Sequence, residues 1–311
     1  MAETRLDGLA YVDGDVVPLD EASVSLTDAG LTSGAVVFDT MPLYHGHFFR
    51  MDDHLDRFYA SLRAVRFDSS FPHAKSELRE LVIDVVRRSG LHNATITVMA
   101  TRGRREPGVP IWEWTPTVII TCLGQDSEPQ YKAQWATGAR ACVSGVHSLP
   151  PECVHPQIKH INRLINYFAM LEAADRGVQE AIFRDGEGCV TEGPNFNLFA
   201  VRDQRVITPH HGMLRGITRD TLMKIARHHG YEVVEQSLTA YDLYTADEVF
   251  ITSTNRGAVG LVEIDKRIIG EGKPGPITSQ LNDTYWSWRI DSPYALRLED
   301  AVDGAAAGAV R

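Results

Sequence analysis

One lysine in this sequence stands apart from the others. Lys159 lies in a largely apolar stretch, residues 156–161, directly before a predicted helix, whereas the other lysines adjoin charged residues. Desolvation lowers the pKa of a lysine amine, and a neutral amine can attack a carbonyl to form an imine. The pattern indicates a lysine used in covalent catalysis, with a surface lysine that extends its ammonium to solvent as the alternative.

A single carboxylate, Glu192, lies in a predicted turn between two apolar strands. A carboxylate in such a turn can face the protonated ring nitrogen of an aromatic cofactor and keep that ring electron-withdrawing. The alternative is a turn carboxylate whose oxygens accept hydrogen bonds from nearby backbone N–H groups.

Three further places offer donors for a phosphate group. One is a glycine-led segment before a predicted helix, where close backbone approach and free helical N–H groups favour an anion, although an ordinary helix cap fits as well. Another is a hydroxyl-rich turn after a predicted strand, and the third is an arginine near the start of a helix. The candidate donors are, in chain order, Arg57, Gly216, Ile217, Thr218, Ser253 and Thr254.

Hydrophobic periodicity predicts the elements that position these groups. The first predicted helix begins at Asp53, and further helices are predicted at 76–88, 160–176, 218–229 and 277–289. The predicted strands cover 94–101, 117–123, 180–184, 197–201, 204–207, 231–238 and 248–253. A mixed α/β fold follows, with many short strands in the second half.

Composition shifts predict the domain organisation. The polar, turn-rich segment 124–130 is typical of a linker, so we expect a small N-terminal α/β domain at 1–123 and a larger domain at 131–302. Residues 303–311, rich in alanine and glycine, are expected to form a disordered tail.

Composition also excludes several classes of function. The net charge of −10 disfavours nucleic acid as the main partner, and no apolar run is long enough to span a membrane. The N-terminus lacks the apolar region of a secretory signal, so we expect a cytoplasmic protein. The four cysteines form no C-x-x-C pair and the histidine pairs His210–His211 and His228–His229 are poorly spaced for one ion, so no metal site is predicted.

Several motifs together resemble the class IV aminotransferases, the fold-type IV, branched-chain-like enzymes that depend on pyridoxal 5′-phosphate (PLP). The resemblance extends from about Tyr11 to Ser292, and the order of the motifs along the chain matches. The motifs are Phe49–Arg57, Thr101–Gly103, Ile158–Lys159, Thr191–Gly193 with Asn197, Gly216–Arg219, Asp247–Phe250 and Gly275–Thr278.

The resemblance implies a larger C-terminal barrel-like domain, PLP between the two domains, and at least a homodimer in which one subunit closes the site of the other. It implies that Lys159 carries PLP as a Schiff base and moves protons, and that Glu192 pairs with the pyridine nitrogen, next to Asn197. It assigns the phosphate to Arg57, Ile217, Thr218 and Thr254, partly through backbone amides.

Different motifs of the chain resemble different subfamilies of the class IV aminotransferases. Residues 46–54, 171–177 and 275–278 are similar to (R)-selective amine transaminases, although Ser33 and Phe38 replace the His and Tyr typical of that group. Leu164 stands where branched-chain enzymes place a tyrosine and where D-amino-acid aminotransferases share leucine. The segment 159–164 also resembles the aminodeoxychorismate lyases, which eliminate pyruvate.

These resemblances predict a transaminase that moves an amino group from an (R)-amine or D-amino acid to a keto acid or ketone. An L-branched-chain aminotransferase is the first alternative, a PLP lyase the second, and a non-catalytic binding protein a further one. Planar guanidinium groups suit a substrate carboxylate, although arginines in loops are also typical surface charges. The candidate substrate residues are Phe38, Arg104, Arg105, Asn255 and Arg256.

Overall fold

A computed structural model describes residues 6–301 of the chain, so the predicted tail at 303–311 lies outside the described residues. The described chain divides into two compact units. The first contains the residues up to Asp126, the short segment Ile158–Asn162, and the residues from Trp288 onward. The second contains Ser127–Gln157 and Arg163–Ser287.

The fold is mixed α/β, as predicted. Its strands are Gly8–Val12 (β1), Asp15–Pro18 (β2), Val36–Tyr44 (β3), His47–Phe49 (β4), Ala94–Thr101 (β5), Val118–Gly124 (β6), Ala139–His147 (β7), Glu180–Arg184 (β8), Cys189–Val190 (β9), Asn197–Arg202 (β10), Arg205–Thr208 (β11), Val233–Glu235 (β12), Leu238–Thr239 (β13), Glu248–Ser253 (β14), Gly257–Ile264 (β15), Arg267–Ile268 (β16) and Ala295–Arg297 (β17). Its α-helices are Ala29–Ser33 (α1), Met51–Ala64 (α2), Lys75–Ser89 (α3), Ser127–Thr137 (α4), Leu164–Asp175 (α5), Ile217–His228 (α6), Ala240–Tyr244 (α7) and Pro276–Trp288 (α8). Short 3-10 turns lie at Leu19–Glu21, Asp68–Ser70 and Ile111–Glu113.

The first unit is built on one sheet, whose described strands run in the order β17-β4-β3-β5-β6-β1-β2. The alternating apolar residues of β5 direct Ile96 and Val98 into the core. Helix α2 places Leu55, Phe58 and Leu62 at helical spacing, and all three are fully buried in the same cluster. The amphipathic helix therefore fixes its polar residues relative to strand β3.

The second unit is built on another sheet, whose main path is β12-β11-β10-β14-β15-β7-β8-β9-β13, with β16 paired to β15. Its core takes apolar residues from several strands, among them Leu198, Ile251 and Leu261. Helix α6 has an apolar face that includes the fully buried Leu222 and Ile225. None of the helices in residues 6–301 combines the length and hydropathy that a membrane crossing requires.

The structure corrects three predicted boundaries. The segment 124–130 is not an irregular linker, because β6 extends to Gly124 and α4 begins at Ser127. The helix expected from residue 160 begins at Leu164. The stretch before it, Ile158–Asn162, is irregular, with one bridge from His160 to β3, and it belongs to the first unit, as do the residues from Trp288, although both were expected in the second domain.

Candidate active site

Lys159 is anchored by backbone contacts within the first unit. The N–H of Phe38 donates to the carbonyl oxygen of Lys159 over 2.9 Å, and the N–H of Lys159 donates to Ser61 Oγ of α2 over 3.2 Å. The next residue, His160, forms an antiparallel bridge with Val37. This short segment is thus held against both β3 and α2, which restricts where the Lys159 side chain can reach.

The amine of Lys159 lies over the ring of Phe38, with Nζ 4.7 Å from the ring centroid. An aromatic face attracts a cation at this distance and also shields it from water. Phe38 was predicted from the sequence as a substrate residue, and it lies beside the predicted catalytic amine.

A buried charge network begins at the residue after Phe38. Asp39 is fully buried on β3, and it accepts hydrogen bonds from Arg57 Nε over 2.7 Å, from Arg57 Nη2 over 2.8 Å and from His54 Nδ1 over 2.7 Å. Burial by itself raises the pKa of the Asp39 carboxyl, but the charge of Arg57 and the hydrogen bonds from Arg57 and His54 outweigh it and hold the pKa well below its usual value. Arg57 is therefore held rigidly by a bidentate carboxylate.

His54 completes this network as a neutral ring. Burial, together with the charges of Arg57 and Lys159, outweighs the attraction of Asp39 and lowers the pKa of His54. A neutral imidazole can still donate Nδ1–H to Asp39. Sequence reasoning missed Asp39 and His54; the available signal was an acid on the apolar face of a strand, where a carboxylate requires a partner.

In the second unit, two donors fix Glu192. Its Oε2 accepts hydrogen bonds from the Leu214 N–H over 3.1 Å and from Asn197 Nδ2 over 3.1 Å. The same Asn197 amide donates to the Leu214 carbonyl oxygen over 2.8 Å. The structure thus brings together the predicted residues Glu192 and Asn197 and orients the half-buried carboxylate.

Gly216 lies against this pair and leads into α6. A Cβ at position 216 would lie 2.1 Å from Asn197 Oδ1, so no larger residue fits without displacing the amide. The glycine has a φ of −65°, hence the requirement is for space and not for a left-handed backbone. Helix α6 then begins at Ile217, and its first N–H groups form a site suited to an anion.

The second phosphate candidate, the turn after β14, is tied to α6 by one tyrosine. Tyr285 OH donates to the Thr254 carbonyl oxygen over 3.1 Å and lies 3.5 Å from Thr218 Oγ1. Thr254 and Thr218, predicted from separate segments, are therefore linked through a common partner. Ser253, the last residue of β14, accepts a hydrogen bond from Arg256 Nε over 3.3 Å.

The structure commits Arg256 to other residues. Its guanidinium pairs with Glu180 through Nη1, and its centre lies 5.7 Å from the ring centroid of Phe196. Two of the three guanidinium nitrogens of Arg256, Nη1 and Nε, therefore contact Glu180 and Ser253. Asn255, in the same turn, lies beside it in sequence and is half-buried.

Arg104 and Arg105 are exposed in the first unit, and no ion pair with a residue in the described ranges occupies either guanidinium. They line a cavity of about 740 Å³ together with Tyr11, Asp13 and His73. Neither Lys159 nor Phe38 lines this cavity. Within one chain, this cavity therefore does not connect these arginines with Lys159, the predicted catalytic residue.

The residues present fit PLP. Among the described residues, Thr252 Oγ1 is buried with no hydrogen-bond partner, and Thr252 stands directly opposite Asn197 across β14 and β10, so both side chains share one face. This face therefore offers an unsatisfied hydroxyl beside a fixed carboxylate. A carboxylate for a pyridinium nitrogen, helical N–H groups for a phosphate and a lysine for a carbonyl carbon are the groups that PLP requires.

Comparisons with known proteins agree with this chemistry. A family model described as "Amino-transferase class IV" matches residues 36–264. The chain is 36% identical over 278 residues to the "Putative branched-chain-amino-acid aminotransferase" of Methanocaldococcus jannaschii, covering 88% of this chain and 94% of the relative. It is 32% identical over 278 residues to a D-alanine aminotransferase of Listeria monocytogenes, covering 88% and 93%.

A solved structure supports the same grouping. The branched-chain amino acid aminotransferase of Thermobaculum terrenum, in its PLP-bound holo form, superimposes with a TM-score of 0.83 at 28% identity, over 94% of this chain and 99% of that one. The chain belongs to the class IV aminotransferase family, and its fold is fold-type IV. It is a PLP-dependent transaminase, as the sequence predicted.

Proposed function

We propose that the chain transfers an amino group from an (R)-amine or a D-amino acid to a keto acid or ketone. The observation that carries the proposal is the pair of exposed arginines Arg104 and Arg105 directly after Thr101–Gly103. Basic residues at this position resemble those with which D-amino-acid aminotransferases hold the substrate carboxylate. The similarity to the Listeria D-alanine aminotransferase supports the same stereochemical class.

In the proposed mechanism, each unit contributes separate tasks. PLP, when bound, supplies an aromatic electron sink for the negative charge that develops on the substrate carbon. Lys159 Nζ would hold the cofactor covalently and, once displaced by the substrate amine, would move the proton from the substrate carbon. Phe38, against which Nζ lies, restricts the positions this amine can take.

The remaining residues would bind the charged groups of PLP, its ring nitrogen and its phosphate. Glu192 would keep the pyridine nitrogen protonated, and its two hydrogen bonds fix the carboxylate for that task. Arg57, fixed by Asp39, and the N–H groups of Ile217 and Thr218 would bind the phosphate. Ser253 and Thr254 would contribute hydroxyl groups at the neighbouring turn.

The substrate class is tested by the first half of the reaction, without any acceptor. We expect purified protein with PLP to lose the visible band of the lysine-bound cofactor on addition of (R)-1-phenylethylamine or D-alanine, and not of L-leucine. The ratio of the two rates ranks amine against D-amino acid. A response confined to L-leucine would contradict the proposal.

L-branched-chain amino acids are the second candidate. The similarity to the Methanocaldococcus jannaschii protein and to the Thermobaculum terrenum structure favours them. In that case L-leucine alone alters the spectrum. Silence with all three compounds would contradict both candidates and favour the lyase reaction.

We further propose that Arg104 and Arg105 act in the active site of a second copy of this chain, within a homodimer. Their cavity excludes the lysine of their own chain, while α5 exposes Leu164, Tyr167 and Phe168, an apolar face typical of a protein contact. In a two-fold dimer, each subunit can complete its partner's site.

A mixed dimer of two variants shows whether Arg104 and Arg105 act in the active site of the partner subunit or in that of their own chain. One subunit carries Lys159→Ala and the other carries both Arg104→Ala and Arg105→Ala, and different affinity tags isolate the mixed dimer. If the arginines serve the partner, one site of the two is intact, so about half of the parent activity returns. If they serve their own chain, both sites are defective and no activity returns.

A matched pair controls for the assembly itself. A dimer of Lys159→Ala with Lys132→Ala, an exposed lysine on α4, keeps one intact site under either arrangement. It therefore reports whether mixed dimers form and whether a single site works when its neighbour is inactive. If this control is inactive and the protein sediments as a monomer, the proposed homodimer is refuted.

A further inference from the structure

Three metal-ligating side chains of different chemistry meet in the second unit, outside the residues assigned to transamination. Asp185 follows β8, Cys189 begins β9, and His211 lies in the loop before α6. One ligand atom from each residue lies within 4.8 Å of the other two, and all three residues are half-buried. His211 Nε2 is 3.1 Å from Asp185 Oδ2.

The turn holds this arrangement in place by its own hydrogen bonds. Asp185 Oδ1 accepts the N–H groups of Glu187 over 3.0 Å and of Cys189 over 2.9 Å. The N–H of Asp185 in turn donates to the Cys189 carbonyl oxygen over 2.9 Å. Because Oδ1 is used by the turn, Oδ2 is left to face His211, and the cysteine is held beside both.

We propose that Asp185, Cys189 and His211 bind a divalent transition-metal ion, with Zn²⁺ as the best match. A thiolate, an imidazole and a carboxylate are the ligand types that zinc accepts, with four ligands in tetrahedral geometry. Mg²⁺ and Ca²⁺ require oxygen ligands and do not suit a thiolate. A simple Asp–His hydrogen bond would not require the thiol.

A fourth ligand is available next to the cluster. His210 is exposed, and its Nδ1 lies 3.4 Å from His211 Nδ1. Either a rotated His210 ring or a water molecule can complete the tetrahedron. The sequence predicted no metal site because the cysteines are dispersed and adjacent histidines rarely bind one ion. The fold brings one cysteine, one histidine and one aspartate together from separate segments.

The position of the site gives it a consequence for the active site. Cys189 is three residues before Glu192, and His211 is three residues before Leu214, whose N–H donates to Glu192 Oε2 over 3.1 Å. An ion held by Cys189 and His211 would therefore join the two segments that fix the carboxylate. The metal stiffens the support of Glu192 and does not take part in proton transfer.

Zinc binding is measured on the PLP-loaded protein by competition with a chromophoric zinc chelator. We expect one zinc per chain in the parent, and an affinity at least about 100-fold lower in both Cys189→Ser and His211→Ala, since each removes a ligand. Cys153→Ser and His228→Ala are the matched controls, because they change the same residue types outside the cluster. Both controls are expected to keep the parent affinity.

X-ray absorption spectroscopy at the zinc edge gives a readout that does not depend on any variant folding. The parent is expected to show one sulfur at about 2.3 Å from the ion and otherwise nitrogen and oxygen ligands. A zinc environment without sulfur, or equal zinc binding by all four variants, would overturn the site. If the zinc were only an adventitious ion at the cofactor or at surface histidines, all four variants would bind it equally.

Discussion

Replacing Lys159 with alanine is expected to lower the rate of transamination by at least about 10⁴-fold, which combines the loss of covalent attachment with the loss of a positioned acid–base group. The anchoring contacts of residue 159 come from its backbone N–H and carbonyl oxygen, which alanine retains. The fold should therefore survive, and the visible band of the bound cofactor should be lost. The measurement is kcat for the best donor, together with the absorption spectrum.

Lys224→Ala serves as the matched control. Lys224 lies on α6, where it pairs with Asp220 over 2.8 Å on an exposed surface, and we expect its removal to leave both kcat and the spectrum at parent values. Retention of the visible band by Lys159→Ala would refute the assignment of the catalytic lysine. A circular dichroism spectrum equal to that of the parent excludes misfolding as the cause.

Replacing Asp39 with asparagine is expected to lower the free energy of unfolding by about 3–5 kcal/mol near pH 7, the range found when one partner of a buried ion pair is removed. Asparagine preserves the shape but leaves the guanidinium of Arg57, a side chain only 14% exposed, without its counter-charge. Denaturant titration of the parent and the variant measures the difference. Loss of PLP affinity should accompany it, because Arg57 is no longer held.

The pH dependence of this difference gives a second check. The pKa of Asp39 is depressed in the folded state, so its contribution is complete above the unfolded value of 3.8 and is lost as the pH falls through the folded value. The stability gap between parent and Asp39→Asn should thus stay constant from about pH 7 to about pH 5 and narrow as the pH falls below about pH 4. A gap that stays constant below about pH 4 would contradict the assigned role of the charge.

A surface carboxylate on the same helix as Arg57 provides the comparison. Asp56 is 66% exposed and pairs with Lys75 over 2.6 Å. We expect Asp56→Asn to change the free energy of unfolding by less than about 1 kcal/mol, as for other exposed pairs. An equal loss in both variants would mean that burial of Asp39 is not the cause.

Much of the fold follows from local sequence patterns. The β-branched runs predicted as strands at 94–101, 180–184 and 248–253 have those bounds in the structure, because alternation and β-propensity agree there. The helix predicted at 76–88 ends before Gly90, whose φ of 67° closes it as expected. Local preference and tertiary packing favour the same state in these segments.

Other elements give weak local signals. Helix α4 is polar at its start, which overlaps the predicted linker at 124–130, and β15 begins at a glycine, which disfavours strands. Strand β7 was also missed, although pairing with β8 and β15 stabilises it. Such segments adopt their structure because distant partners satisfy their backbone groups, and a single sequence does not contain those pairings.

The residues of the candidate site also fall into two groups, those with a local sequence signal and those whose partners are distant in the sequence. Lys159 and Glu192 could be proposed from the sequence because each is an ionisable residue in an apolar context and each lies in a motif that resembles the family. The partners of Arg57 were not, because Asp39 lies on a strand 18 residues away and pairs with it only after β3 and α2 have packed. The cluster of Asp185 with His211, 26 residues apart, was missed for the same reason.

The segment Ile158–Asn162 has a consequence for how the chain can be divided. The polypeptide passes from one unit to the other after Asp126, Gln157, Asn162 and Ser287. A fragment ending at Asp126 would therefore lack both the segment Ile158–Asn162, which carries Lys159, and the final stretch from Trp288. No single proteolytic cut can release the first unit intact, and a gene for an autonomous version would require the Lys159 peptide to be spliced in or supplied in trans.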